Sequence, residues 1–141
     1  MIQGAPLPRP PRTPLVAPNV IAVSSGKGGV GKTWFAITLS HALAQANQRV
    51  LLFDGDLGLA NVDIQLGSIP KHDLANVIPG DLTMAGAATE FEDGGFDIIA
   101  GHSGSGSLAS LPRSRLTVLR DELFTLAGTY DRAVIDIGAG V

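Results

Sequence analysis

The chain has 141 residues, enough for one domain with its own core, and a net charge of -3 with 16% charged residues, which lacks the basic excess that binding nucleic acid through its phosphates needs. It contains no cysteine, which excludes a disulfide framework, a cysteine nucleophile and thiolate zinc or iron-sulfur sites. No charged-then-apolar export segment opens it and no apolar run approaches the roughly 18 residues that span a bilayer, so a cytoplasmic protein is expected.

Residues 1–19 hold six of the nine prolines, at Pro6, Pro8, Pro10, Pro11, Pro14 and Pro18, with Arg9 and Arg12 as the only charged side chains. Such a composition cannot form a helix or a central strand. The expectation is a disordered or extended leader, with a partner-binding polyproline segment as the alternative. Short apolar runs then alternate with segments of helical period, the pattern of parallel strands joined by crossover helices.

Val20 to Val23 reads as the first buried strand. From Lys32 the positions Phe35, Leu39, Leu43 and Ala46 follow a helical period, and Asn47 can close that helix. Val50 to Phe53 reads as a second strand ending at Asp54. Phe96 to Ala100 is a third, entered through Gly94 and Gly95. The run from Gly101 to Ser107 reads as a flexible loop. Pro112 opens a helix with Leu116, Leu119, Leu123 and Leu126 on one face, which Gly128 ends, and Ala133 to Ile137 is the last strand. Phe35, Phe53 and Phe124 fall in apolar patterns and are expected in the core. Arg113, Arg115 and Arg120 read as a solvated helix face, with an anion-binding face as the alternative. His41, His72 and His102 show no metal-ligand spacing and read as surface or loop residues.

Between the first strand and its helix, Gly26 to Thr33 reads G-K-G-G-V-G-K-T and satisfies the phosphate-loop pattern G-x-x-x-x-G-K-[ST]. A phosphate needs several donors at short range, and a loop nearly free of side chains lets backbone N–H groups converge on it. Gly26, Gly28, Gly29, Val30 and Gly31 form that cradle. Lys32 is placed to bridge the terminal phosphates, the Thr33 hydroxyl to bind Mg2+, and the helix start adds the positive end of its dipole. Ligands of open parallel sheets bind outside the carboxyl ends of the strands, which makes Asp54, Asp56 and Asp136 candidates for magnesium and water positioning.

The second lysine of the loop, Lys27 in S-G-K-G-G-V-G-K-T, resembles the deviant phosphate loop of the MinD/ParA ATPases. The segment D-G-D-L-G-L-A-N-V-D from Asp54 to Asp63 is similar to the switch I segment of the MinD branch, and most similar to its flagellar-number regulators. D-I-G-A-G from Asp136 to Gly140 resembles the family's switch II. The resemblance implies a P-loop α/β fold with a parallel sheet and helices on both faces, ATP and Mg2+ as ligands, and an ATP-dependent homodimer in which Lys27 acts across the interface on the partner's nucleotide. It further implies that Asp56 orients the attacking water, that Asp54 lies in the outer magnesium shell, that Asp136 holds magnesium through water, and that Asn61 follows the nucleotide state.

The same resemblance implies control of flagellar number or placement, with a flagellar GTPase or an ATPase activator as partner. Cell-division site selection and DNA partition are the alternatives within the family. A non-catalytic nucleotide-binding or interaction fragment is the alternative of another class. Relatives continue beyond switch II, so residues 20–141 are expected to be the N-terminal part of such a domain. Its incomplete sheet is expected to leave an unpaired edge that favours self-association or low stability. Peripheral membrane contact is expected only where a further C-terminal amphipathic helix exists. Trp34, Thr38, Gly55 and Gly138 depart from the residues usual in relatives at those positions.

Overall fold

The computed structural model describes residues 17–56, 62–67, 70–101 and 108–138. Five strands form one sheet in the order β1-β5-β2-β4-β3. They are β1 (Val20–Val23), β2 (Val50–Gly55), β3 (Thr89–Phe91), β4 (Phe96–Ile99) and β5 (Arg132–Ile137). β1, β5, β2 and β4 run parallel, and β3 closes one side as an antiparallel hairpin with β4. The helices are α1 (Lys32–Gln45), α2 (Val62–Leu66), α3 (Leu74–Val77), α4 (Met84–Ala87) and α5 (Arg113–Ala127).

The inner strands carry runs of apolar residues, Val50 to Phe53 in β2 and Ala133 to Ile135 in β5, because both faces are covered. Val50, Leu52 and Val134 pack with Phe96 and Ile98 beneath Ala36 of α1 and Val62 of α2. Leu51, Phe53, Ile99 and Ala133 pack on the opposite face with Leu74, Val77 and Met84 and with Leu119, Leu123 and Ala127 of α5. Each fully buried side chain of this size contributes about 1.5–3 kcal/mol relative to exposure.

Several expectations need correction. β1 lies at the edge of the sheet among the described residues; its side chains are half-buried and Ala22 is exposed. β2 continues through Asp54 to Gly55, because both residues pair with β5. Phe35 is not in the core: it is 52% exposed, and α1 meets the sheet through Thr33, Ala36 and Ser40. The buried stripe is thus turned by one residue from the one the large side chains mark, because small residues let the helix backbone approach the sheet. Phe124 is half-buried on an apolar cavity of about 220 Å³ that Phe53, Leu119 and Ile135 also line.

Arg115 is neither solvated nor free to bind an anion. Its guanidinium donates to the Val77 and Ile78 carbonyls at 3.2 and 2.8 Å, satisfying the end of α3. Gly128 does end α5, with an ordinary helical φ of -62° rather than a left-handed one. Asn47 takes the left-handed turn after α1, at φ 59°.

The hairpin strand β3 was not expected from the sequence. Gly94 and Gly95 are its turn: Gly95 has φ 70°, and a Cβ at Gly94 would fall 2.3 Å from the Phe96 ring. His41 and His72 are exposed, whereas His102, residues 1–16 of the leader and 102–107 of the glycine-serine loop lie outside the described residues. No helix of the described residues is long and apolar enough to cross a membrane.

Candidate functional site

The order β1-β5-β2 brings the carboxyl ends of three strands side by side, and each carries one part of the site. β1 leads into the glycine loop and α1. β5 ends near Asp136, and β2 carries Asp54, which lies directly beside Asp136 in the register. Val23 is the neighbour of Asp136 on the other side.

Two glycines of the loop are left-handed, Gly29 at φ 71° and Gly31 at φ 84°, and Gly31 occupies the N-cap of α1. An L-residue is strained at both. A Cβ at Gly26, Gly28, Gly29 or Gly31 would meet nothing within 4 Å, so packing within the chain does not require these glycines. The space beside the loop is open to a ligand that approaches the backbone closely. Ser25 Oγ donates to the Lys27 carbonyl at 2.7 Å and fixes the loop's entry, a contact that the sequence reading did not include.

Lys32 turns inward. Its ammonium pairs with Asp136 Oδ1, with side chains 9% and 0% exposed, and Thr33 Oγ1 donates to Asp136 Oδ2 at 2.7 Å. Loop, helix start and β5 are therefore joined through one buried carboxylate. Asp54, also fully buried, accepts from the Val62 amide at 3.1 Å and from the Asp56 amide at 3.3 Å, so it organises the chain leaving β2. Asp56 lies against the chain after β5: a Cβ at Gly138 would fall 3.0 Å from Asp56 Oδ1.

Of the residues expected to act together, Lys32, Thr33, Asp54, Asp56 and Asp136 thus gather at one end of the sheet. Lys27 is exposed in the loop and is not drawn into this cluster. Asn61 lies outside the described residues, as do 57–60 of the switch I segment and Ala139 and Gly140 of switch II.

The donor set fits a hard cation bound together with phosphate: a hydroxyl and two carboxylates, all oxygen, beside an open glycine loop. Among the described residues no group of three or more His, Cys, Asp or Glu side chains could hold a metal by itself.

Comparison with known proteins agrees with this geometry. The chain is 41% identical over 128 residues to the antiactivator FleN of Pseudomonas aeruginosa, covering 87% of this chain and 44% of that protein. It is 34% identical over 122 residues to the flagellum site-determining protein YlxH of Helicobacter pylori, covering 86% of this chain and 41% of that one. In structure it resembles the septum site-determining protein MinD of Pyrococcus horikoshii complexed with Mg-ADP, with a TM-score of 0.75 and 33% identity over 87% of this chain and 50% of that one. It therefore spans half or less of the length of these relatives. The sequence profile of the CobQ/CobB/MinD/ParA nucleotide binding domain matches residues 21–137, and the chain belongs to that family, as a P-loop protein of the MinD/ParA type.

Proposed function

We propose that this chain carries the phosphate-binding part of an ATP-hydrolysing dimerisation switch that controls the number or placement of flagella. The observation that carries the reading is the convergence of Lys32 and Thr33 on the buried Asp136, beneath a loop whose Gly29 and Gly31 are left-handed. In this reading the loop amides and the start of α1 hold the phosphates of ATP. Lys32 leaves Asp136 to pair with the terminal phosphates. Thr33, with Asp136 and Asp54 behind it, holds Mg2+, which supplies charge neutralisation on the phosphates when bound.

Asp56 positions the attacking water, and Lys27, exposed and outside the buried cluster, is free to reach a nucleotide held by a second copy. The flagellar role rests on the likeness to YlxH, whose name describes a flagellum site-determining protein, and on the resemblance of the switch I segment to flagellar-number regulators, with a flagellar GTPase or an ATPase activator as the partner in this reading.

The test is calorimetric titration of Mg-ATP into the chain and into its Lys32→Ala variant, at a temperature where circular dichroism shows both folded, with light scattering for mass. Binding that the variant loses supports the phosphate site, and no binding by the unmodified chain refutes it. Lys27→Ala is expected to keep nucleotide binding and to lose ATP-dependent dimerisation. Equal dimer formation by both chains would refute the trans role.

A further inference from the structure

Among the described residues one side chain, Ser25, hydrogen-bonds the backbone of the glycine loop between Gly26 and Gly31: its hydroxyl donates to the Lys27 carbonyl at 2.7 Å. What that bond does follows from the conformation of the loop beyond it. Gly29 and Gly31 are left-handed, whereas Gly28, Val30 and Lys32, which alternate with them, are not. Backbone that alternates in this way turns successive N–H groups toward one concave side, which suits an anion. Gly28 supplies the first N–H of that series. Among the described residues no hydrogen bond takes up the N–H of Gly28, Gly29, Val30 or Gly31, and the first main-chain bond of α1 runs from Phe35 N–H to the Gly31 carbonyl at 2.9 Å.

A trans peptide points its C=O and the following N–H in opposite directions, and no peptide of the chain is cis. With the Lys27 carbonyl drawn toward Ser25, the Gly28 N–H is turned away from it, as the concave series requires. Little else holds this peptide in that orientation. A Cβ at Gly28 would meet nothing within 4 Å, so packing does not fix it. Glycine at position 28 accepts φ of either sign, so the peptide plane between Lys27 and Gly28 can turn over at little steric cost. Turned over, it would present the Lys27 carbonyl oxygen, a negative dipole end, to an approaching phosphate. The hydroxyl bond selects against that state before any ligand arrives.

We propose that Ser25 is a positioning residue of the phosphate site, whose hydroxyl presets the Lys27–Gly28 peptide so that the Gly28 N–H is aimed at the ligand. The proposal rests on the reading of this loop as the ATP phosphate site. Its physical basis is preorganisation: a donor already in place costs no ordering when the phosphate binds.

The test compares the unmodified 141-residue chain with Ser25→Ala, which lacks the hydroxyl, and Ser25→Thr, which keeps it. Backbone amide relaxation by NMR, without nucleotide, reads the peptide directly. The order parameter of Gly28 is expected to fall from about 0.8 to below about 0.6 in Ser25→Ala and to be restored in Ser25→Thr, with the amides of β2 unchanged in both. An unchanged Gly28 in Ser25→Ala, or a loss that Ser25→Thr shares, overturns the proposal whether or not nucleotide binds.

Calorimetric titration of Mg-ATP supplies the second readout. Ser25→Ala is expected to bind about fivefold more weakly, the worth of one ordinary hydrogen bond, and Ser25→Thr as tightly as the unmodified chain. Equal affinities of the unmodified chain and Ser25→Ala overturn the proposal alone, since the bond would then order the loop without serving the ligand. No binding by the unmodified chain overturns the ATP reading and the proposal with it.

Discussion

Removing the charge of Lys32 should destabilise the fold before any nucleotide is considered. Its ammonium and the Asp136 carboxylate are buried together, at 9% and 0% exposure, and breaking such a pair from one side costs about 3–5 kcal/mol because the remaining charge has lost its partner. Thr33 keeps its hydrogen bond to the other carboxylate oxygen, which favours the lower end, about 3 kcal/mol. With an m-value of about 1.5–2 kcal/mol/M, Lys32→Met should lower the urea midpoint by about 1.5–2 M. The double variant Lys32→Met with Asp136→Asn removes both charges and should recover much of the loss, giving a coupling energy of about 2 kcal/mol. The assay is urea unfolding followed by circular dichroism, without nucleotide or magnesium, on the four proteins of the cycle. Additivity within about 0.5 kcal/mol would refute the reasoning, since it would mean that the two residues do not sense each other in the folded state.

Ala36→Leu should cost about 1–3 kcal/mol by overpacking the small stripe of α1, whereas Phe35→Ala should cost less than 1 kcal/mol at its exposed position; the reverse order in urea unfolding would restore the stripe marked by the large side chains. Gly138→Ala should displace the Asp56 carboxylate by a few tenths of an ångström and lower kcat for ATP about tenfold with KM unchanged, so unaltered steady-state turnover would remove Asp56 from the role of water positioning. Burial, followed by the hydrogen bond to Asp97 at 2.6 Å, raises the Tyr130 hydroxyl above the ordinary 10.0. A raised folded value means that the stability it confers is full below pH 10.0 and is lost as pH rises beyond it. The stability gap between the unmodified chain and Tyr130→Phe, measured by denaturation at successive pH values, should therefore narrow above pH 10.0.

The four parallel strands and the two long helices were legible because each has a strong local signature. Val50 to Phe53 and Ala133 to Ile135 are continuous apolar runs, as strands buried on both faces must be, and α5 carries its leucines at helical spacing. The glycine loop was legible because its chemistry lies in consecutive residues. The hairpin strand β3 was not, since three residues with one apolar side chain carry no period, and only pairing with β4 makes them a strand. Nor was the inner face of α1, because hydrophobic size marks Phe35 while proximity to the sheet selects Ala36 and Ser40. Arg115 likewise reads as a surface cation and is a cap only because α3 ends beside α5.

By itself the sequence determined that a phosphate loop follows a strand and opens a helix, and that two further strands end near aspartates. The tertiary structure alone decided that β5 inserts between β1 and β2, and so sets Asp136 against Lys32 and Thr33 with Asp54 beside it. Strand order is a long-range property: residues 32 and 136 become neighbours only because the sheet sets β5 between β1 and β2, and no local pattern encodes which two strands β5 will lie between.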